Sequence, residues 1–204
     1  MKNLVVFLSG KQGSGKTTLA TGIFNHFLNS DSVWLYNMKF ADPLYEMHRA
    51  VFNVLENYGV PVPEKIDGNL LQLLGTEWGR QTRGMDFWVD IARWRVSKLT
   101  EKPALWPKHR ILLIDDARFP NEIDFMDKAP GVETLKIRLE AAEHIRRVRA
   151  EKWREAVTHP SEIMLDDYPR FDKIIFTDKH MENETLGLAI RAIEERLNAK
   201  TLCN

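Results

Sequence analysis

The 204-residue chain carries a single cysteine, Cys203, so no disulfide can close within it, and a reducing compartment is expected. No apolar run approaches the roughly 18 residues of a membrane-spanning helix, and the first residues enter a strand pattern without the apolar core and cleavage site of a secretory leader. A soluble, cytoplasmic protein with no membrane partner is the expectation. An excess of one charge is also missing. Twenty-nine basic and 29 acidic side chains cancel, which removes any global field toward nucleic acid as a partner. The histidines form no metal constellation: His26, His48 and His109 are isolated, His159 precedes Pro160, and there is no thiolate pair for zinc. An Asn-Lys-x-Asp guanine signature, internal repeats and low-complexity tracts are absent as well.

What is present begins at once. Leu4 to Leu8 is apolar, Gly10 to Thr17 fits G-x-x-x-x-G-K-[ST], and Leu19, Ile23 and Phe27 follow at helical spacing. Strand, glycine loop and helix in that order form an anion trap. Gly10, Gly13 and Gly15 let successive N–H groups turn inward, and the helix N-terminus adds partial positive charge. Lys11, Gln12, Gly13, Ser14, Gly15, Lys16, Thr17 and Thr18 are the expected nucleotide-binding residues, with Lys16 on the outer phosphates and the Thr17 hydroxyl on Mg²⁺. The chain is therefore expected to bind a nucleoside triphosphate.

A hydrophobic content of 44% supports one core, with or without an inserted subdomain. Further strands are expected at 32–38, 110–116, 132–139 and 172–177, alternating with helices. Helices are expected from Thr17 to about Asn29, after an Asp42 N-cap with Leu44, Met47, Val51, Leu55 and Tyr58 on one face, and from Asn69 to Arg80 with Leu70, Leu74 and Trp78 buried. Others start after Asp86, run from Ala141 to about Val157, and follow an Asn183 cap. The alternation implies an α/β fold with a doubly wound parallel sheet of about five strands. The helical stretch between the second and third strands exceeds a minimal crossover and reads as an insert.

Asp115 and Asp116 end an apolar strand, the position from which a carboxylate holds Mg²⁺ or its waters. Arg118, two residues on, suits either a phosphate or Glu122. The segment 138–154 holds Arg138, Arg146, Arg147, Arg149 and Arg154. Glu143 and Glu151 can pair with Arg147 as ordinary helix-surface bridges, and the remaining arginines read as a lid over a triphosphate. In the insert, Trp78, Arg80 and Trp88 are either base and phosphate ligands or a small aromatic core. Gly75 and Gly79 thin the helix there for close approach of a ligand.

In order along the chain stand Leu-Ser-Gly-Lys-Gln-Gly-Ser-Gly-Lys at 8–16, Phe-Ala-Asp-Pro-Leu at 40–44 and Leu-Gly-Thr-Glu-Trp-Gly-Arg at 74–80. They are followed by Asp-Asp-Ala-Arg-Phe-Pro-Asn-Glu at 115–122, Lys-Ile-Arg at 136–138 and His-Pro-Ser-Glu at 159–162. This set resembles the bacteriophage deoxynucleoside monophosphate kinases over about residues 4 to 198. The resemblance implies a single P-loop kinase domain over 1–204: core 1–39, 108–139 and 170–204, acceptor-binding insert 40–107 and lid 140–169. It implies ATP and Mg²⁺ as cofactors, a deoxynucleoside monophosphate as the small-molecule substrate, and a host-cell cytoplasm as location. It leaves a homodimer open. Arg80, Arg118 and Arg138 inherit phosphate-binding roles, and Arg146 and Arg149 join Lys16, Arg118 and Arg138 as expected catalytic residues on charge alone. Substrate contacts are expected from Lys39, Phe40, Trp78, Arg80, Trp88, Asp116, Arg118 and Glu122, and metal contacts from Thr17, Asp115 and Asp116. Thr17 followed by Thr18, where relatives often carry an acidic residue, leaves open which hydroxyl meets Mg²⁺. A kinase of another phosphorylated acceptor, such as a phosphomevalonate-like one, and a P-loop ATPase are the alternatives.

Overall fold

The computed structural model describes residues 2–100, 109–150, 153 and 163–199. Its sheet is built from β1 (Lys2–Gly10), β2 (Val33–Asn37), β3 (His109–Ile114), β4 (Val132–Glu140) and β5 (Lys173–Phe176). The strands are all parallel, in the order β2-β3-β1-β4-β5. The central strand, β1, is buried without a break from Leu4 to Ser9, as a strand covered on both faces requires. Leu4, Val6 and Leu8 of β1 join Ile111, Leu113, Leu135, Ile137, Leu139 and Ile175 on one face. That face is covered by α1 (Lys16–Phe27), through Leu19, Ala20, Ile23 and Phe27, and by α7 (Glu182–Asn198), through Ala189, Ile190, Ile193 and Leu197. On the other face Phe7 meets Phe125 edge-on, with centroids 5.9 Å apart. Phe125 follows the short helix α5 (Pro120–Asp124).

The chain divides into two compact units, Met1–Met38 with Pro103–Asn204, and Lys39–Lys102. The second is helical: α2 (Asp42–Asn57), α3 (Gly68–Gln72), a π-helical segment Leu73–Thr82, and α4 (Phe87–Thr100). No described helix is long and apolar enough to cross a membrane.

Several local expectations are corrected here. Asp42 is the first residue of α2 rather than its cap. Its carboxylate accepts the Lys39 N–H at 3.0 Å and Arg95 at 2.7 Å. The inward face of α2 carries Leu44, Met47, His48, Phe52 and Leu55, while Val51 and Tyr58 are exposed. His48 is buried because its Nε2 accepts the Asp67 N–H at 3.0 Å and its ring meets Phe52. The helix expected over 69–80 is α only to Gln72 and then widens into the π segment. Asn183 lies inside α7, whose start is closed by Glu184 accepting the Met181 N–H. The basic helix is α6 (Glu143–Arg149), ended by Ala150 in extended conformation. Glu151, Arg154, Val157, the His159–Glu162 motif and Cys203 lie outside the described residues.

Candidate functional site

The site is assembled where β1 gives way to α1. Gly10, Gly13 and Gly15 have φ of 149°, 75° and 92°, conformations that an L side chain resists. Gly10 is also required by space, since a Cβ there would lie 2.5 Å from Ser14 Oγ and 2.6 Å from the Leu139 carbonyl. At Gly13 a Cβ would collide with the backbone of Arg146, so α6 lies directly against the loop. Gly15 leads into α1 without a side-chain cap, which leaves the helix N-terminus to an anion. Ser14 Oγ, 1% exposed as a residue, finds no hydrogen-bond partner among the described residues. Lys16 curls back, its Nζ donating to the carbonyls of Gly10 and, at 3.0 Å, Lys11. Thr17 and Thr18 are exposed at the head of the helix.

Two neighbouring strands bring charge to this loop. On β4, Arg138 pairs in register with Ser9 of β1. Arg138 is 5% exposed and is a residue of the sheet, not of a lid. Its guanidinium donates to Glu140 Oε1 at 2.6 Å, Ser9 Oγ at 3.1 Å and Asp166 Oδ1 at 2.9 Å. Asp166 Oδ2 also pairs with Lys11 at 2.6 Å. On β3, Ile114 pairs with Phe7, so Asp115 and Asp116 follow at the carboxyl edge beside the start of the loop. Asp115 is 6% exposed.

Of the helix arginines, Arg146 reaches the loop, donating to the Gln12 carbonyl at 3.2 Å and to its own Ala141 carbonyl at 3.1 Å. Arg149 is committed to Thr177, with one nitrogen to its hydroxyl and one to its carbonyl, both at 2.9 Å. The Thr177 hydroxyl in turn donates to the Ser14 carbonyl at 3.1 Å. Arg149 thus ties α6 to the end of β5 and to the loop, and in this structure it is a strut. Arg147 pairs with Glu143 at 2.8 Å, and both Arg146 and Arg147 lie over the Trp153 indole.

Glu122 was expected on the substrate, but its carboxylate is held inside its own turn. It is 2% exposed, and Oε2 accepts the N–H groups of Arg118 at 2.8 Å and Phe119 at 3.3 Å. The Arg118 side chain is exposed. In the helical unit, Lys39 and Asp42 are joined to Arg95, and Phe40 is buried. Trp88 is 4% exposed and fills the space the glycines leave. Its Nε1 donates to the Gly75 carbonyl at 2.9 Å, and a Cβ on Gly79 would stand 2.6 Å from that nitrogen. Close approach at Gly79 therefore serves packing and not a ligand. Arg80 donates to the same Gly75 carbonyl at 3.0 Å, and Trp78 is 36% exposed, its ring edge-on to Phe87. Ser9, Glu140, Asp166 and Thr177 are the site residues that sequence reasoning passed over. Only Ser9, next to the loop motif, carried any signal.

The sheet order and the glycine loop after its central strand define an α/β P-loop fold. No protein-family model matches the chain, and no curated protein does. Among solved structures it is similar to TT1252 from Thermus thermophilus, at 15% identity and TM-score 0.53 over 98% of this chain and 100% of that one. It is also similar to the APS kinase CysC of Mycobacterium tuberculosis, solved in complex with AMPPNP and APS. There the identity is 14% and the TM-score 0.51, over 95% of this chain and 98% of that one. At such identities the likeness establishes the fold.

Proposed function

We propose that this chain is a kinase that transfers the γ-phosphate of ATP to a deoxynucleoside monophosphate, giving the diphosphate. The observation that carries the nucleotide half is the loop itself: three glycines at positive φ, a Lys at the head of α1 and a buried Ser14 hydroxyl without a partner among the described residues. That is a cradle for phosphate oxygens. The fold likeness to an APS kinase solved with AMPPNP supports the same half. The acceptor half rests on the motif resemblance, above all Leu74 to Arg80 and Asp115 to Glu122.

In this reading Lys16 leaves its carbonyl partners for the β- and γ-phosphates, and Arg146 adds charge from α6. Arg118 and Arg138 take phosphate oxygens during transfer, and Arg80 takes the phosphate of the acceptor. Thr17 or Thr18, with Asp115 or Asp116, would hold Mg²⁺. Their oxygens suit it, because Mg²⁺ uses one or two protein ligands and completes its shell with phosphate and water. When bound, it neutralises charge on the phosphate oxygens. The acceptor needs no general base: a phosphate monoester with a second pKa near ~6 is already a dianion at neutral pH. The chain's task is then to place charge and exclude water, which is most of what phosphoryl transfer asks.

The test is a coupled assay of ADP release with ATP and a panel of ribo- and deoxyribonucleoside monophosphates, run beside ATP alone. Acceptor-dependent release, greatest with a deoxynucleotide, is expected. The Lys16→Ala variant is expected to lose at least ~10²-fold in kcat while keeping its far-UV circular dichroism. ADP release without an acceptor would make the chain an ATPase. Release only with a non-nucleotide phosphate monoester, such as a phosphomevalonate, would leave a kinase of a different substrate.

A further inference from the structure

One carboxylate stands where phosphate charge is expected. Asp166 uses both oxygens, Oδ2 on Lys11 at 2.6 Å and Oδ1 on Arg138 at 2.9 Å. Lys11 belongs to the phosphate loop, and Arg138 pairs in register with Ser9, the residue just before that loop. A bidentate carboxylate between two cations satisfies the same donors that a phosphate would. We propose that Asp166 is a built-in competitor of the nucleotide's phosphates, holding Lys11 and Arg138 until a nucleotide displaces it. The inference rests on the nucleotide-binding reading of the loop.

The geometry suits a reversible contact. The turn that carries Asp166 is anchored on each side of it by Leu165, 4% exposed, and Tyr168, 9% exposed. The Asp166 side chain itself is 29% exposed, so its departure takes a side-chain rotation and no loss of core. Arg138 does not lose its orientation when Asp166 leaves. Glu140 at 2.6 Å and Ser9 at 3.1 Å still hold two of its nitrogens, and the third turns toward the incoming anion. The nucleotide's apparent affinity is then its intrinsic affinity reduced by the fraction of chains in which Asp166 is engaged.

The experiment measures the Kd of ADP with Mg²⁺ by calorimetry for the wild type, Asp166→Asn and the neighbouring Asp167→Asn. Asp166→Asn is expected to bind ADP at least about fivefold more tightly, the lower end of coupling between linked events. Asp167→Asn is expected to match the wild type. If the wild type binds ADP and Asp166→Asn binds it equally or more weakly, this proposal fails and the loop assignment stands. If the wild type does not bind ADP, both fail. Should Asp166→Asn not fold, a crystal structure of the wild type with ADP decides. Lys11 and Asp166 separated beyond about 4 Å, with Lys11 on phosphate, is the expected result. A Lys11–Asp166 pair that persists beside bound ADP would overturn the proposal.

Discussion

Lys136 keeps its charge in a place that solvent hardly reaches. On β4 it points away from the face that packs on α1 and α7, is 3% exposed, and is met by Asp124 at 2.7 Å, Asp127 at 2.6 Å and the Tyr168 hydroxyl at 2.8 Å. The Tyr168 hydroxyl in turn donates to Asp124, and Arg170 bridges both carboxylates. Burial by itself would raise the Asp124 carboxyl, but hydrogen bonds from Lys136 and Tyr168 and the charges of Lys136 and Arg170 outweigh it and hold the group below its usual value. Burial likewise pushes the Lys136 ammonium down, and its bonds to Asp124, Asp127 and Tyr168 more than reverse this, leaving it raised. Burial and the bond to Asp124 raise the Tyr168 phenol. The signs then follow from linkage. Asp124 contributes stability that is present above about pH 4 and lost as pH falls through its lowered folded value. Lys136 contributes stability that is present below about pH 10 and lost as pH rises toward its raised folded value, and Tyr168 declines on the same side because the unfolded phenol ionises first. Lys136→Met is expected to cost about 3–5 kcal/mol, since it leaves two carboxylates short of a buried cation. Urea unfolding at several pH values checks it. The variant is also expected to flatten both limbs of the stability–pH curve, and a variant that keeps them would place their origin elsewhere.

The π-helical segment Leu73–Thr82 shows what an element can hide from its own sequence. A strict α period over 69–80 puts Leu70, Leu74 and Trp78 on one side. The wider π turn brings Gly75 and Gly79 inward instead, against Leu44 and the Trp88 indole, and turns Trp78 partly to solvent. Arg80 then lies at the end of that turn with one nitrogen on the Gly75 carbonyl. A planar guanidinium meets a phosphate with a parallel pair of donors, a geometry that the single nitrogen of an ammonium does not reproduce. Arg80→Lys is expected to raise KM for the monophosphate about tenfold or more, with little change in KM for ATP, as loss of one charged hydrogen bond does. Steady-state kinetics with each substrate varied in turn reads the two constants separately. A shift in the ATP constant alone would remove Arg80 from the acceptor role. Elements whose pattern is set by burial were readable: the apolar runs of β1 and β3, the glycine loop, and the Leu186, Ile190, Ile193 and Leu197 face of α7. Those set by distant partners were not. Leu135 to Leu139 alternates apolar and cationic as a half-exposed strand would, yet Lys136 and Arg138 are buried because Asp124, Asp127, Glu140 and Asp166 come to them. Glu140 apart, those partners come from other segments of the chain, and no local spacing announces them. In α2 a histidine, satisfied by the Asp67 N–H, takes a buried place beside Met47, and Phe52 turns inward where hydrophobic spacing alone would put Val51.

At the scale of the molecule, the sheet's stability and the proposed phosphate cradle reside in different atoms of the same unit. The core lies among Leu4, Val6, Leu8, Ile137 and Ile193, none of it in the loop. The loop's conformation depends on glycines, and at Gly13 and Gly15 an added Cβ would meet no core side chain. Gly13→Ala separates the two. Its φ of 75° costs an alanine about 1–2 kcal/mol, and the backbone of Arg146 occupies the place its Cβ would take. Because the obstacle is main chain, α6 must move off the loop, and Arg146 with it. Gly15→Ala is the matched control: its φ of 92° carries similar strain, but its Cβ meets nothing within 4 Å. A ligand at 100 times its Kd stabilises the native state by about 2.7 kcal/mol, which for a chain of this size is a rise of roughly 5–10 °C in Tm. The wild type is expected to show that rise with ADP and Mg²⁺. Gly13→Ala is expected to unfold a few degrees lower, keep its far-UV spectrum, and lose the rise. Gly15→Ala is expected to keep part of it. Thermal unfolding with and without ADP measures all three. If Gly13→Ala keeps the full shift, the contact between α6 and the loop has no part in nucleotide binding, and the lysine and helix dipole of the loop act without it.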